Sequence, residues 1–431
     1  MKKPRLSVIM LLVLLLPFSG CGNASSHRGS EDETTTNMPS SIAESASLTA
    51  EDTTAESTIS ETVPTTETTV TVLQTETIAV PQTETTVTSA PQTLPPETTA
   101  APTDAPTETT AAPTQENAAR TVTTNSGNVL ELSSLTHCTE AENAPTVYFT
   151  KEISADALLR IYEALPYALS GKIAVKLSTG ESPASNYLRP ELIGKLVQSL
   201  GASIAECMTA YGGVRSVAAM HKQAAADRGY TSIAAFDLLD EDGETEIPYA
   251  GARLDRAIVG SHLANYDGVL VLSHFKGHTL AGFGGAIKNV GIGMSGRTGK
   301  IYVHSAGTRT AGLILNADQL AWLEALAEAT KAISDYEGNG SRMVYISVMN
   351  RLSVSCDCEA LPLAPDMHDI GVLASTDPVA LDQACVDLVY AVPDGHSLIQ
   401  RMESHSGAHV LEYGEQIGLG SRTYRLIDID S

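Results

Sequence analysis

The first quarter of the chain lacks the residues from which a hydrophobic core is built. Residues 24–125 consist almost entirely of Thr, Glu, Pro, Ser, Ala and Val, repeat Thr-Glu-Thr-Thr or Pro-Glu-Thr-Thr, and contain no aromatic side chain. Such a segment cannot bury enough apolar area to offset the entropy lost on ordering, so residues 21–125 are predicted to be a disordered tether. Residues 126–431 remain to fold, and these 306 residues suffice for one large domain or two joined lobes.

The chain begins with the pattern of an export signal. Basic residues precede an apolar run from Leu6 to Leu16, which is too short to span a bilayer. Ser19 and Gly20 come directly before Cys21, an arrangement that resembles the lipobox of bacterial lipoproteins. We therefore expect residues 1–20 to be a signal peptide. A lipid on Cys21 would hold the protein on the extracellular face of a bacterial membrane, with the tether reaching through a Gram-positive wall. Secretion without a lipid is the alternative.

Charge argues against nucleic acid as a partner. The chain carries a formal net charge of -24, and residues 24–125 hold 15 acidic residues against Arg28 and Arg120. The remaining part is also acidic, and no basic stripe interleaved with aromatic residues appears in it. We therefore expect a membrane, through the anchor, and an anionic small molecule as partners, and no nucleic acid.

Short runs rich in Val and Ile alternate with helical patterns in the second part of the chain. The predicted strands are Lys172–Leu177, Ser203–Cys207, Ile233–Asp237, Gly268–Ser273, Met343–Met349 and Ile370–Ala374. The predicted helices are Pro190–Leu200, Val214–Arg228, one from an Asn316 cap to Tyr336, and one that begins at Asp377 and Pro378. This alternation predicts an α/β fold with a mostly parallel sheet and crossover helices.

Polar and reactive residues follow the predicted strands at their carboxyl ends. In chain order they are Lys176, Glu206, His274, Cys356, Cys358 and Asp377. Ligands of parallel sheets bind beyond the carboxyl ends of the strands, so these side chains are predicted to surround one cleft. Lys176 is accordingly a candidate catalytic residue.

The densest stretch runs from Ser273 to Lys300 and contains eight glycines. It is predicted to form a loop that leads into a helix, where backbone N–H groups can approach an anion and a lysine adds positive charge. The predicted cofactor-binding residues are Gly282, Gly284, Gly285, Lys288 and Asn289. Lys288 is also a candidate catalytic residue. The spacing fits neither a Walker loop nor a dinucleotide fingerprint, and a glycine loop packed against a strand is the alternative.

Two histidines and two cysteines are candidate metal ligands. His274 and His278 lie four residues apart and would share a face of a helix, although Gly277 between them disfavours one. Catalytic, anion-binding and structural roles remain alternatives for both. Thiolates such as those of Cys356 and Cys358 bind zinc, copper(I) or iron–sulfur clusters.

Disulfides are the main alternative for the cysteines of an exported protein. Residues 126–431 contain five cysteines, an odd number, so at least one must be free, bind a metal or pair elsewhere. Cys385 is expected to be a buried, apolar thiol.

Two carboxylates open the last predicted crossover helix. Asp377 is interpreted as its N-terminal cap. Asp382 has no capping position in the sequence and is therefore the candidate functional carboxylate. No Gly-x-Ser-x-Gly, His-Glu-x2-His or Ser-x2-Lys signature supports a hydrolase.

Three segments, in order, resemble the family called domain of unknown function 362. They carry VKLSTGE, NYLRPEL and ECMTAYGG, then SHFKGHTLAGFGGAIKNVGIGMSGRTGK, then SCDCE and DIGVLASTDPVALDQACVDL. This uncharacterised family is often labelled as iron–sulfur centre proteins. Many relatives carry a ferredoxin-type Cys-x2-Cys-x2-Cys-x3-Cys module, a run that this sequence does not contain. The resemblance covers most of residues 145–420 and implies a family, not an activity. The Gly-Gly-x-x-Lys run is also similar to the substrate loop of the nickel-dependent lactate racemase group.

Two functions are compatible with these observations. The first is a surface lipoprotein that uses a transition metal or an iron–sulfur cluster in redox chemistry on an anionic small molecule. The second is a non-enzymatic ligand-binding or wall-associated module, in which the glycine loop and Lys176 hold an anion without a metal.

Overall fold

Strands and helices alternate along the part of the chain that forms a core. The computed structural model describes residues 120–313 and 317–431. The predicted signal, Cys21, nearly all of the predicted tether and Asn316 lie outside the described residues.

The described residues contain fourteen strands and nine α-helices. The strands are β1 (Thr121–Thr123), β2 (Val129–Glu131), β3 (Thr146–Thr150), β4 (Ile173–Lys176), β5 (Ser203–Glu206), β6 (Phe236–Leu238), β7 (Glu244–Pro248), β8 (Arg256–Gly260), β9 (Gly268–His274), β10 (Lys276–His278), β11 (Gly282–Gly284), β12 (Met343–Met349), β13 (Gly371–Ser375) and β14 (Arg425–Asp428). The helices are α1 (Ala155–Glu163), α2 (Pro190–Ser199), α3 (Ala218–Asp227), α4 (Ala286–Gly291), α5 (Arg297–His304), α6 (Gln319–Tyr336), α7 (Pro378–Ala391), α8 (His396–Ser404) and α9 (His409–Gln416).

The central sheet is mostly parallel, as the alternation predicts. Its eight strands have the order β14-β3-β13-β12-β9-β4-β5-β6. Strands β12, β9, β4, β5 and β6 are parallel to one another, and β3 is parallel to β14. Strand β13 is antiparallel to both β12 and β3.

Helices cover both faces of this sheet. Val269 and Val271 of β9 belong to one hydrophobic core, whereas Leu270 and Leu272 belong to the other. Successive side chains of a strand point to opposite faces, so an uninterrupted apolar strand feeds both cores. Helices α4 to α9 contribute to the first core and α1 to α3 to the second. The α/β fold class is therefore confirmed.

Several boundaries differ from the predicted ones. Strand β6 begins at Phe236 and not at Ile233, and α3 begins at Ala218 and not at Val214. Val122 and Thr124 are buried, and β1 pairs with β2 in antiparallel register. The folded region therefore includes residues that composition alone assigned to the tether, because the polar threonines of this strand look like those of the repeat. Helix α6 is capped by Asp318, whose side chain accepts from the amides of Leu320 and Ala321.

The reversed direction of β13 corrects one expectation about the cleft. Its carboxyl end lies at the opposite edge of the sheet from those of β4, β5, β9 and β12. The prediction that Asp377 reaches the shared edge is therefore wrong. Asp377 instead caps α7 by accepting from the amides of Val379 and Ala380, at 2.9 Å each.

No helix in residues 120–313 or 317–431 combines the length and the apolar character needed to cross a membrane.

Candidate functional site

A cleft of about 330 Å³ opens beyond the carboxyl ends of β4, β5 and β9. Its lining includes Lys176 and Lys288 as well as both cysteines of the Cys356–Cys358 turn. The sequence argument placed these groups around one cleft, and the structure does the same. What each group does chemically stays a prediction.

One corner of the cleft gathers three side chains that can hold a metal. The ligand atoms of His278, Cys356 and Cys358 all lie within 4.8 Å of one another. His278 belongs to β10, which pairs with β11 in a two-stranded antiparallel ribbon. The spacing from His274 to His278 is therefore that of extended chain and not of a helix. We call His278, Cys356 and Cys358 the thiol–imidazole corner.

Two backbone amides donate hydrogen bonds to the ring of His278 and thereby select one tautomer of the neutral imidazole. Its Nδ1 accepts from the amides of Leu280 at 3.1 Å and Ala281 at 3.0 Å. Burial lowers the pKa of His278 to about 4, and the positive charge of Lys288 acts in the same direction. The neutral ring with Nδ1 as acceptor carries its proton on Nε2. This nitrogen lies 4.0 Å from the Cys358 sulfur and would have to lose its proton to bind a metal.

The two cysteines differ in acidity. A hydrogen bond from the Cys358 thiol holds the pKa of Cys356 well below its usual range, and the neighbouring His278 ring and Lys288 ammonium act in the same direction, although burial opposes this. The backbone amide of Cys358 also donates to the Cys356 sulfur at 3.3 Å. The hydrogen bond to Cys356 and burial raise the pKa of Cys358. Cys356 is therefore the more acidic cysteine of the pair, in the kind of electropositive setting typical of reactive or metal-binding cysteines.

Asp357, between the two cysteines, fixes this corner to β9 and β10. It accepts from Nδ1 of His274 at 3.0 Å and from Nζ of Lys276 at 2.8 Å. Burial raises the pKa of Asp357, but the charges of Lys276 and His274 outweigh this and hold it below its usual range.

His274 is not available as a metal ligand. Its Nε2 lies 2.7 Å from the carbonyl oxygen of Asn350, and its Nδ1 contacts the Asp357 carboxylate. Both partners accept, so both ring nitrogens donate and neither has a free lone pair. The prediction of His274 as a ligand is therefore wrong, because the residue ties two chain segments together.

The wall opposite this corner is cationic. Lys176, Lys288 and Lys300 all line the cleft. Nζ of Lys176 donates to the carbonyl of Leu177 at 2.7 Å and to Oδ1 of Asn289 at 3.0 Å, and Lys300 donates to the carbonyl of Ser295. None of the three ammonium groups has a carboxylate partner among the residues that the structure describes. Three lysine side chains without an ion-pair partner among the described residues thus line the cleft of a strongly acidic chain.

The other charged groups of the cleft are neutralised by one another. The Arg215 guanidinium lies 3.0 Å from the Glu181 carboxylate and 3.2 Å from that of Glu206. Glu206 also accepts from His221 and from the Thr179 hydroxyl, at 2.5 Å and 2.7 Å. Arg215 and Glu206 therefore offset one another, whereas Glu359, which also lines the cleft, accepts from the Ser355 hydroxyl and the Cys356 amide.

Asn289 is a structural tie between strand ends. Its Nδ2 donates to the carbonyls of Lys176 and Leu272 and to the Ser273 hydroxyl, at 3.1 to 3.2 Å. With its Oδ1 bound to Lys176, the amide is fully engaged. Asn289 lines the cleft, but its amide has no group left for a cofactor.

The start of helix α4 is already occupied by an internal carboxylate. Asp382 accepts from the amides of Ala286 at 2.7 Å and Ile287 at 2.9 Å, and it does not line the cleft. The catalytic role predicted for Asp382 is therefore wrong, because this side chain caps a helix that is remote in sequence. The same contact shows that amides of the glycine loop are not free for an external anion.

The three predicted glycines have different neighbours. A Cβ on Gly282, whose φ is +79°, would lie 3.0 Å from Cα of Met402, and one on Gly285 would lie 2.2 Å from the Asp382 carboxylate. Gly284 lines the cleft, where a Cβ would meet only the side chains of Lys288 and Lys276, at 3.7 Å and 3.8 Å. Gly282 and Gly285 thus serve close packing, the alternative left open for this loop.

All five described cysteines are free thiols. Cys385 is fully buried, as expected, and burial raises the pKa of Cys385. Burial also raises the pKa of Cys207, to about 12.

Sequence reasoning missed two cations of the cleft. Lys300 ends the glycine-rich stretch and Arg215 follows the Gly212-Gly213 turn, so both lie inside motifs that the sequence singled out. Their position beside glycine turns was the one indication in the sequence that they could line the cleft. Irregular segments have no periodicity, so the sequence does not predict in which direction their side chains point.

Comparison with known families adds to this geometry. The family model described as Domain of unknown function (DUF362) matches residues 173–387. The chain belongs to this family. The DUF362 match spans Lys176, the glycine-rich stretch and the Cys356–Cys358 turn, so the cleft is built from the family region. No curated protein matches the chain.

Solved structures match at low sequence identity. The lactate racemase apoprotein from Thermoanaerobacterium thermosaccharolyticum matches at 12% identity over 63% of this chain and 62% of that one, with a TM-score of 0.36. A protein from Thermotoga maritima matches at 10% identity over 61% and 58%, with a TM-score of 0.33. The chain spans about three fifths of both proteins. At these values the similarity says nothing about activity.

Proposed function

We propose that this DUF362 domain is a metal-associated protein that binds an anionic small molecule in the cleft. The observation that carries this proposal is the placement of a Cys2His donor set and three unpaired lysines around one cavity. An acidic protein gains local attraction for anions only where such positive charge is left uncompensated.

The donor set favours a single metal ion over an iron–sulfur cluster. Clusters generally take four protein ligands, whereas the described residues bring together only His278, Cys356 and Cys358. Two thiolates and one imidazole with an open position are the donor set of one class of catalytic zinc site, and soft thiolates also suit copper(I). Such an ion would act as a Lewis acid on the bound anion.

Metal analysis of the full chain tests this part of the proposal. Protein purified without oxygen and incubated with Zn²⁺, Fe²⁺ or Cu⁺ is expected to retain one ion per chain. Cys356→Ser and Cys358→Ser should lose it, whereas Cys138→Ser, which removes a thiol outside the cleft, should retain it. Equal retention in all four proteins would refute the site.

Thermal shifts with inorganic phosphate and small carboxylates test the anion. Lys288→Ala should melt close to the wild-type temperature without ligand, because the ammonium makes no ion pair with a carboxylate among the described residues. Its affinity for the anion should fall by about tenfold, the usual effect of removing a charged donor. Lys195→Ala, at an exposed lysine outside the cleft, is the control. A large loss of stability without ligand would mean that Lys288 is a packing residue.

A second candidate function is a metal-free anion-binding module. The observation that favours it is the acceptor role of His278 Nδ1, which leaves Nε2 protonated and hence a donor to the sulfurs instead of a ligand. Under this alternative the full chain contains no metal, yet anions still raise its melting temperature and Lys288→Ala still weakens their binding by about tenfold.

A further inference from the structure

Lys176 ends strand β4 and is held inside the cleft by two neutral groups. Only 2% of the residue is exposed, and it lines the cavity. Its Nζ contacts the Leu177 carbonyl at 2.7 Å and the Asn289 Oδ1 at 3.0 Å. Buried ammonium groups are usually paired with a carboxylate. Lys176 has none within ion-pair distance among the described residues.

This arrangement suits a neutral amine. The two N–H bonds of an amine satisfy the two acceptors, which leaves the nitrogen lone pair unshared. Burial lowers the pKa of Lys176 to about 8, and the charges of Lys300 and Arg215 act in the same direction against the carboxylate of Glu206. A lysine made nucleophilic by desolvation and neighbouring cations is the kind that forms imines with carbonyl compounds.

The chain also keeps space free next to this nitrogen. A Cβ on residue 293 would lie 2.1 Å from the Asn289 carbonyl oxygen and 2.7 Å from Nζ of Lys176, so Gly293 lets the backbone of this turn come close to both the carbonyl and the amine. Another lysine of the cleft differs. Lys276 is paired with Asp357, whereas both hydrogen bonds of the Lys176 ammonium are to neutral oxygens.

We propose that Lys176 is a nucleophilic amine that forms an imine with a small carbonyl compound whose anionic group is held by Lys288 and Lys300. The nitrogen lone pair of Lys176 attacks the carbonyl carbon, the carbonyl oxygen leaves as water, and a C=N bond replaces the C=O bond. No oxidant or reductant is consumed. This inference rests on the anion site proposed above and is independent of the metal.

Reductive trapping in the full chain tests it. The protein is incubated with sodium cyanoborohydride and either pyruvate, a carboxylate, or dihydroxyacetone phosphate, a phosphate. An adduct on wild type should add the mass of the probe acid less one oxygen atom, and peptide mapping should place it on Lys176. The probe that gives the higher yield identifies the class of anion.

Two variants distinguish the reactive amine of Lys176 from the positive charge that binds the anion. Lys176→Arg keeps a positive side chain but cannot form an imine, so its adduct should fall to the level of the probe-free control. Lys288→Ala should lower the yield at a given probe concentration while leaving the adduct on Lys176.

An adduct spread over surface lysines, or none with either probe, would overturn the imine. Since peptide mapping of wild type locates the adduct, this result does not depend on how Lys176→Arg folds. Thermal shifts caused by the same anions test the anion site separately. A thermal shift without an adduct would therefore reject the imine and leave the anion site supported.

Discussion

Asp357 is the single residue that couples the thiol–imidazole corner to the sheet. It lies between the two cysteines and is fully buried, with two buried cationic or donor partners, Lys276 and His274. A buried charge that loses its partner is strongly destabilising because its desolvation is no longer offset.

Asp357→Asn is therefore expected to lower the free energy of unfolding by about 3 kcal/mol or more. Chemical denaturation of the two proteins measures the difference. Asp366→Asn, at an exposed carboxylate of the same loop, should change stability by less than about 0.5 kcal/mol. Equal stabilities of Asp357→Asn and wild type would mean that Lys276 and His274 do not depend on this carboxylate.

Asp382 gives the protein a pH dependence of known sign. Burial raises the pKa of Asp382 to about 7, against the amides of Ile287 and Ala286, from an unperturbed 3.8. The folded state thus binds the proton more tightly than the unfolded state, so stability is lost as pH rises through this window. Asp382→Asn should remove about 1.4 kcal/mol per pH unit of that slope.

Denaturation curves at several pH values between the two pKa values measure this slope. Asp377, whose pKa burial raises to about 6, titrates in both proteins and contributes equally. Parallel profiles for wild type and Asp382→Asn would show that the carboxylate at the start of α4 is ionised throughout.

The sequence predicted which residues line the cleft more accurately than it predicted what each residue does. Lys176, Lys288, His278, Cys356 and Cys358 were selected because they follow strands or glycines, and all of them line the cleft. The roles predicted for Asp382 and His274 are wrong for one reason. Both side chains contact segments far away in sequence, and local spacing contains no information about such contacts.

The crossing of β10 over the segment before Cys356 is the element on which the corner depends. The Gly277 amide donates to the Ser353 carbonyl at 2.8 Å. A Cβ on Gly277 would lie 2.4 Å from the carbonyl oxygen and 2.5 Å from Cα of Val354. Backbone cannot yield as the end of a side chain can, so only glycine allows this approach.

Gly277→Ala should consequently cost about 1 to 3 kcal/mol and shift the turn that carries the two cysteines. Thermal denaturation measures the first effect, and the rate at which Cys358 reacts with a thiol reagent measures the second. Gly212→Ala adds a Cβ where nothing lies within 4 Å and serves as control. If Gly277→Ala and Gly212→Ala behave alike, the close approach is not a constraint.

Elements with a strong apolar signal were predicted accurately. Strand β12 has the predicted bounds, because seven consecutive apolar or small residues are buried on both faces of the sheet. The antiparallel direction of β13 was not predictable from its own residues, because a short apolar strand has the same hydrophobic pattern whether it pairs parallel or antiparallel. Residues 350–370 connect it to β12 without a helix, and a parallel connection usually contains one. The ribbon of β10 and β11 was missed because Lys276-Gly277-His278 has no apolar alternation.

The amino-terminal segment, with its predicted signal peptide and Cys21, indicates the cellular location of the protein. We propose that Cys21 is lipidated and that the tether holds the DUF362 domain outside the cell membrane. Cys21→Ala should move the protein from the membrane fraction to the soluble fraction of fractionated cells. A variant that stays in the membrane fraction with unchanged mobility would show that Cys21 is not the anchor.

The proposed metal site is the corner of His278, Cys356 and Cys358, with one position open to the anion. X-ray absorption at the metal edge of the full chain, purified without oxygen, measures its ligands. We expect two sulfur neighbours at about 2.3 Å and one nitrogen at about 2.0 Å, together with a light atom that changes when an anion is added. Four sulfur neighbours, or a wild-type protein that retains no metal, would rule out this site.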